Sequence, residues 1–187
     1  MNFRTLVELP EKEVKISHSE RIMLWGSCFV ENIGRRMTEN KFRCNVNPLG
    51  ILYNPISIAS SLQQVLEGKV YGETDLFQAS GMWHSWMHHS DFSASTSEEC
   101  LKRINDGIST VAESLSHTDW LVVTWGTAYV YTLRQTGTVV GNCHKQPDKL
   151  FSRRKLDVAE IVEVWKQLMT DLRSLNPHLK LLFTVSP

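Results

Sequence analysis

The chain has 187 residues, which suits one domain of ordinary size or a large part of one. Its 20 Lys and Arg residues balance 20 Asp and Glu residues. The sequence therefore has no excess of positive charge that would indicate a nucleic-acid or membrane partner. No apolar run reaches the roughly 20 residues of a membrane helix, and the N-terminus has no signal-peptide core, so we expect a cytoplasmic protein. The four cysteines form no closely spaced pair and are predicted to be free thiols.

The first predicted strand is the apolar run at residues 22–25, which ends at Gly26. An amphipathic helix is predicted for residues 28–40, because apolar side chains recur there at helical spacing: Phe29, Ile33 and Met37. Gly26, Ser27 and Cys28 therefore occupy a strand-to-helix turn. At such a turn a nucleophile meets the unpaired N–H groups and the partial positive charge of the helix N-terminus.

The middle of the chain is predicted to contain two more helices. A loop at residues 45–55 leads to Asn54, which caps a helix that starts at Pro55. Residues 76–95 are rich in aromatic and His side chains and are predicted to be strand or irregular rather than helical. Thr96 and Glu99 form a capping box that opens the next helix.

The last third of the chain repeats the alternation of strand and helix. Buried strands are predicted at residues 120–125 and 179–185, with a hairpin at 129–140 and a helix at 157–176 between them. This order indicates an α/β fold with a mainly parallel central sheet and helices on both faces. Because the sequence stops directly after a strand, we expect residues 1–187 to be the N-terminal portion of a single domain that is truncated at its C-terminus.

The string Gly-Ser-Cys-Phe at residues 26–29 resembles the signature that names the GSCFA family. Five later segments are similar to further blocks of that family, in the same order: residues 47–55, 83–93, 125–131, 141–145 and 184–187. The family in turn resembles the SGNH/GDSL hydrolases. That resemblance implies a three-layer α/β/α sandwich and a hydrolase, esterase or acyltransferase activity on an ester or acyl substrate, which by analogy would be carbohydrate-linked.

The resemblance also implies roles for particular residues. The first SGNH block is Gly-Asp-Ser, and its register puts Cys28 at the nucleophile position; Ser27 is the alternative if the turn is one residue tighter. Gly50 and Gly126 match the glycines of the second and third blocks, but Thr127 stands where an asparagine is expected. The full set of candidate oxyanion and substrate-binding residues is Gly26, Gly50, Asn54, His88, Gly126, Thr127 and Asn142.

The general base has two candidates. The Asp-x-x-His pair of SGNH hydrolases has no counterpart in this sequence, which leaves His144 or a residue beyond position 187. His144 would pair with the Cys28 thiol, although a His packed in a loop fits the same pattern. A metal site at His84, His88 and His89 is not expected, because no ligand spacing matches, and no glycine-rich loop indicates a nucleotide cofactor.

Two functions remain open at this stage. The first is an enzyme with Cys28 or Ser27 as its nucleophile and no cofactor. The second is a non-catalytic GSCFA domain that binds a small-molecule or carbohydrate ligand in a cleft. The sequence does not fix the oligomeric state.

Overall fold

The structure is a computed structural model that describes residues 15–185. The strands within this range are β1 (Arg21–Gly26), β2 (Arg43–Val46), β3 (Leu76–Ala79), β4 (Met82–Ser85), β5 (Trp120–Trp125), β6 (Tyr129–Leu133), β7 (Val139–Val140), β8 (Phe151–Lys155) and β9 (Lys180–Val185). The α-helices are α1 (Cys28–Glu39), α2 (Pro55–Leu66), α3 (Ser97–Leu115) and α4 (Val158–Leu175).

The main sheet has the strand order β2-β1-β5-β9, and every neighbouring pair in it is parallel. The predicted α/β class with a mainly parallel sheet is therefore confirmed. Gly26 pairs with Thr124, so β1 and β5 end at the same level. Because the strands are parallel, their carboxyl ends share one edge, and the loops that leave this edge surround the turn between β1 and α1.

Hydrophobic residues pack on both faces of the sheet, as the alternation of side chains along β1 requires. Ile22 and Leu24 join a cluster with Val30 of α1. Met23 and Trp25 point to the opposite face and join a larger cluster with residues of α2, α3 and α4. The turn after β1 therefore leaves a strand that is buried on both sides.

The sequence analysis missed two strands, β2 and β8. β2 is a short edge strand that contains Arg43 and Asn45, so the predicted loop at 45–55 overlaps its end. β8 carries Arg153, Arg154 and Lys155 and forms one edge of a separate sheet with the order β7-β6-β8. Edge strands face solvent and carry charge, so they lack the apolar run that marks a buried strand.

The predicted apolar face of α1 is confirmed at Ile33 and Met37, which pack half-buried against the core, but is wrong at Phe29. Phe29 was expected in the buried stripe, but it is 52% exposed, and Val30 and Gly34 are the buried residues of this helix. Gly34 lies against Val46, and a Cβ at this glycine would collide with the Val46 side chain. The missing side chain lets α1 rest directly on β2, which a count of apolar residues does not reveal.

The remaining predicted elements are confirmed with small shifts at their ends. Asn54, Thr96 and Asp157 cap α2, α3 and α4 with their side chains. Residues 76–85 form the antiparallel β3–β4 hairpin, and β6 pairs with β7. Between residues 15 and 185, none of the helices has the length and apolar character needed to cross a membrane.

Candidate active site

Gly26 fixes the path of the turn that joins β1 to α1. Its φ angle is +149°, and a Cβ at this position would collide with the backbone oxygen of Thr124. Its N–H donates to Asn47 Oδ1 at 2.9 Å, and its carbonyl accepts a hydrogen bond from the Leu52 N–H at 3.2 Å. The turn is thus held from both neighbouring loops, and only glycine fits there.

Ser27 is the N-cap of α1. Its Oγ accepts a hydrogen bond from the Phe29 N–H at 3.3 Å, and its carbonyl accepts one from the Val30 N–H at 2.9 Å. The residue is only 5% exposed, and its side chain lies against Gly126, where a Cβ would be 3.0 Å from Ser27 Cβ. The hydroxyl therefore provides an acceptor for an N–H group of the first helical turn and is largely shielded from solvent.

Cys28 is the first residue of α1, and its side chain is exposed as a free thiol. At this position the backbone N–H has no acceptor within the helix. The other three cysteines, Cys44, Cys100 and Cys143, are half-buried or buried, and burial raises the pKa of each thiol. Cys28 is thus the thiol of this set that is presented to solvent at a helix N-terminus.

A cleft of about 290 Å³ opens at the same edge of the sheet. Its walls include three tyrosines and three of the predicted binding residues: Tyr53, Tyr129, Tyr131, Asn54, Thr127 and Asn142. Gly126 connects the cleft to the turn, since a Cβ there would lie 3.0 Å from Ser27 Cβ and 3.5 Å from Tyr53 Cδ1. The volume is close to the lower end of that of small-ligand sites.

Three backbone N–H groups of the predicted oxyanion and substrate-binding residues, those of Gly50, Gly126 and Thr127, already have acceptors. Gly50 N–H donates to the Asn47 carbonyl at 2.8 Å. Gly126 and Thr127 both donate to the Tyr53 carbonyl, at 2.8 and 3.2 Å. These bonds stabilise the loops beside the turn, and an acyl oxygen would have to displace a carbonyl to use the same donors.

Asn54 and Asn142 also make bonds within the protein. Asn54 Oδ1 accepts from the Ser57 N–H at 2.8 Å, and its Nδ2 donates to Ser57 Oγ at 2.9 Å, which caps α2. Asn142 Oδ1 accepts from the His144 N–H at 2.8 Å. The Asn54 side chain is committed to the start of its helix, whereas the Asn142 side chain holds a loop at the rim of the cleft.

His144 lies in a cluster of aromatic side chains rather than beside the turn. Its Nε2 donates to the Ser85 carbonyl at 2.8 Å, and its ring centroid is 4.6 Å from that of His84. Burial lowers the pKa of its ring. Across residues 15–185, no hydrogen bond joins His144 to Ser27 or Cys28.

His88 is a core residue that is 1% exposed. Its Nδ1 lies 3.0 Å from Ser85 Oγ, and its ring packs against Tyr71 and Phe92. Burial lowers its pKa to about 4, so the ring is neutral at neutral pH. The neighbouring His89 contacts Gly50, where a Cβ would collide with the His89 side chain.

Comparison with known protein families decides the relationship that the motifs suggested. The sequence matches the GSCFA family over residues 21–187. The chain belongs to the GSCFA family. No curated protein and no solved structure matches this GSCFA chain.

Asn47 lies beside the turn after β1, and the sequence patterns did not point to its side chain. Asn47 follows β2, is 9% exposed and has a φ angle of +44°. Its Oδ1 holds the Gly26 N–H, while its Nδ2 is buried without a hydrogen-bond partner. The available signal was an Asn-Pro dipeptide with a glycine at position 50, which was interpreted as a turn and as part of a family block, without a role for the Asn47 side chain.

The GSCFA chain offers no obvious metal centre in the part that the structure describes. No group of three or more His, Cys, Asp and Glu side chains there is arranged to hold an ion. The two nitrogens of His84 are within hydrogen-bond distance of Ser93 Oγ (2.7 Å) and the Ala79 carbonyl (3.2 Å). Both ring nitrogens of His84 therefore have hydrogen-bond partners within the protein.

Proposed function

We propose that this GSCFA domain carries an acyl-transfer site in which Cys28 is the nucleophile, so that the protein acts as a hydrolase or acyltransferase on an ester. The observation that carries the proposal is the exposed thiol at the first position of α1, at the carboxyl edge of a parallel sheet. The likeness of the family to SGNH hydrolases, with Gly-Ser-Cys in place of Gly-Asp-Ser, supports the same assignment.

The helix N-terminus provides what a thiol nucleophile needs. The Cys28 N–H has no acceptor within the helix, whereas the N–H groups of Phe29 and Val30 already donate to Ser27. This free N–H and the partial positive charge of the helix N-terminus favour the negative oxygen that develops when a thiolate attacks an acyl carbonyl. Ser27 is the weaker candidate, because its hydroxyl accepts the Phe29 N–H and is shielded by Gly126.

The proposed reaction has two steps. A lone pair of the Cys28 thiolate attacks the carbonyl carbon of the ester, the carbonyl π pair moves to oxygen, and the C–O bond to the leaving group then breaks. The products are a thioester on Sγ and an alkoxide or phenolate. Water, or a second alcohol in acyl transfer, then attacks the thioester carbonyl, and the C–S bond breaks. A carboxylic acid or a new ester leaves, and the proton lost by the water or alcohol balances the thiolate that is restored on Cys28.

The cleft beside Gly126 favours a substrate that carries a sugar or another ring. Tyr53, Tyr129 and Tyr131 are each about 40% exposed or more. The Arg153 guanidinium lies 3.8 Å from the Tyr129 ring centroid, whereas the rings of Tyr53 and Tyr131 offer flat apolar faces. Thr127 and Asn142 add polar groups that suit hydroxyls. A carbohydrate ester, as in the SGNH analogy, combines both features.

Proton transfer is the weak point of the site between residues 15 and 185. His144 donates to Ser85, and neither ring nitrogen of His144 bonds to the thiol. A thiolate needs no base to attack an activated ester, but the water of the second step does. We therefore expect the thioester to accumulate in this chain.

The alternative function is a non-catalytic binding domain that uses the same cleft. This alternative is favoured because the N–H groups of Gly50, Gly126 and Thr127 all donate to protein carbonyls and are not free to stabilise an oxyanion. Such a domain would bind the sugar portion of a ligand and leave its ester bond intact.

Acylation by p-nitrophenyl acetate separates the two functions. The wild type is expected to release about one equivalent of p-nitrophenolate in a fast phase and to gain one acetyl group on Cys28, mapped by peptide mass spectrometry. Cys28→Ala should abolish the fast phase, Ser27→Ala should retain it, and Cys44→Ala is the matched control for loss of a thiol. A wild type without a fast phase, or acetylation of Cys44 in place of Cys28, would refute the enzyme proposal.

A further inference from the structure

One wall of the cleft is a face of the β7-β6-β8 sheet. Side chains alternate between the two faces of a strand, so Tyr129 and Tyr131 of β6 lie on the same face. Their partners across the β6–β8 pairing are Lys155 and Arg153, which share that face. Val140 of β7, the partner of Tyr131 on the other side, extends the face and also lines the cleft. Two cationic side chains therefore lie beside the tyrosine wall of the cleft.

The guanidinium of Arg153 is close to both tyrosine rings. Its Cζ lies 3.8 Å from the centroid of the Tyr129 ring and 6.0 Å from that of the Tyr131 ring. The contact with Tyr129 is a cation–π interaction, which restricts the conformations of the long arginine side chain. Within residues 15–185, the Arg153 side chain forms neither an ion pair nor a hydrogen bond. Its N–H donors, a planar fork that matches a carboxylate or phosphate, are thus free to bind a ligand.

The next residue of β8 shows the opposite arrangement. Arg154 points to the other face of the strand and donates two hydrogen bonds to the Glu160 carboxylate, at 2.7 and 2.5 Å. Its charge is therefore neutralised within the protein. Lys155 points the same way as Arg153 and also has no ion pair among the described residues. The unpaired positive charge of β8 thus lies on the face that bounds the cleft.

The residues that line the cleft include no Asp or Glu that could balance this charge. One carboxylate outside the lining acts in the opposite direction, because burial and the charge of Asp148 raise the pKa of the Cys143 thiol at the cleft. Arg153 and Lys155 together carry more charge than this single group. The electrostatic field at the tyrosine wall therefore favours an anionic ligand.

We propose that the cleft binds an acidic sugar, whose ring lies against the cleft tyrosines and whose carboxylate or phosphate group pairs with Arg153. The 6.0 Å between the guanidinium and the Tyr131 ring allows an acidic substituent of a ring placed on Tyr131 to reach the N–H donors. The inference rests on the proposed function of the cleft and adds the substrate class, an ester of an anionic carbohydrate. Arg153 touches no reacting atom, and its role is specificity.

Matched sugars isolate the contribution of the acidic group. Methyl β-D-glucuronide and methyl β-D-glucoside have the same ring and differ by one carboxylate, and glucose 6-phosphate carries a phosphate instead. Each sugar is titrated into the protein at low ionic strength, and binding is followed through the backbone amide NMR signals of Thr127 and Asn142 in the cleft. We expect at least one anionic sugar to bind about three- to tenfold more tightly than the glucoside. Added salt should reduce this preference.

Substitutions in β8 assign the preference to one side chain. Arg153→Gln removes the charge but keeps a polar side chain, so it should abolish the preference and leave the affinity for the glucoside within about twofold. Arg153→Lys keeps the charge without the fork and should retain part of the preference. Arg154→Gln is the matched control, because it removes the same charge from the other face of the strand and should keep the full preference. The NMR spectrum of each variant reports whether it is folded.

The outcomes separate this inference from the proposed enzyme activity. Anionic sugars that bind no more tightly than the glucoside, or no binding of any of the three, would overturn the inference. A preference that persists in Arg153→Gln, or that Arg154→Gln also loses, would overturn it as well. None of these results bears on acylation of Cys28 by p-nitrophenyl acetate. Conversely, a wild type that prefers anionic sugars through Arg153 but is never acylated would refute the enzyme proposal and support the inference for the binding domain.

Discussion

Two regions of this chain carry side chains with the chemistry for acyl transfer: the turn after β1, with Ser27 and Cys28, and the histidine region around His84, His88 and His144. In the turn, the backbone is fixed by hydrogen bonds and the thiol is left free. In the histidine region, burial lowers the pKa of His88 and His144, and one ring nitrogen of each bonds to Ser85, while His144 Nδ1 is buried without a partner among the described residues. A reactive residue type becomes a candidate only where the fold leaves its reactive atom both unengaged and accessible.

The largest effect in this comparison is expected from Gly26→Ala in the turn. The new Cβ would collide with the Thr124 backbone oxygen at a φ angle of +149°, and we expect a loss of about 3 kcal/mol or more in the free energy of unfolding. Gly137→Ala is the matched control, since its φ angle is also positive (+74°) but nothing lies within 4 Å. It should cost about 1–2 kcal/mol. Equal midpoints of urea unfolding for the two variants would contradict the rigid turn.

The second prediction concerns pH and the histidine region. The folded pKa of His88 is about 4, below the usual value of 6.5, so the unfolded chain binds more protons between these values. Stability should therefore be fully present above pH 6.5 and fall as the pH drops toward 4, by up to about 1.4 kcal/mol per unit. His88→Gln should flatten this slope in urea titrations, whereas His117→Gln, at an exposed position, should leave it unchanged. If the pH dependence is unchanged in His88→Gln, a group other than His88 causes it.

The smallest effect is expected from Ser27→Ala. Loss of the N-cap bond to Phe29 should cost about 1 kcal/mol in unfolding experiments. The rate at which iodoacetamide alkylates Cys28 should change little, because α1 is also held by its packing on β2. Thr96→Ala removes the equivalent cap from α3 and provides the comparison. A collapse of Cys28 reactivity in Ser27→Ala alone would mean that the serine takes part in the chemistry.

The sequence predicted the parts of the fold that depend on local patterns. The apolar runs of β1 and β5 and the caps at Asn54 and Thr96 mark their elements directly. It failed for β2 and β8, whose polar residues are explained only by their edge positions in the sheets. Phe29 was misassigned because Gly34, rather than a large side chain, forms the contact between α1 and β2.

Some features of the candidate site could likewise be predicted from local sequence patterns, and others could not. The position of Cys28 at the start of a helix follows from the change of periodicity at Gly26, and the structure has the helix begin there. The surroundings of His144 depend on the tertiary contact between the loop after β7 and the residues around Ser85, and no short motif encodes that contact. Asn47 was overlooked because its importance comes from one bond to Gly26, 21 positions away in the sequence.

The contact between Gly34 and Val46 has a consequence for the geometry of the whole turn. Val46 is the last residue of β2, so the contact sets how closely α1 packs against this strand. Any larger side chain at position 34 would push the helix outward. Cys28 at the N-terminus of the helix would then move away from the carboxyl end of β1, although its thiol kept its own chemistry.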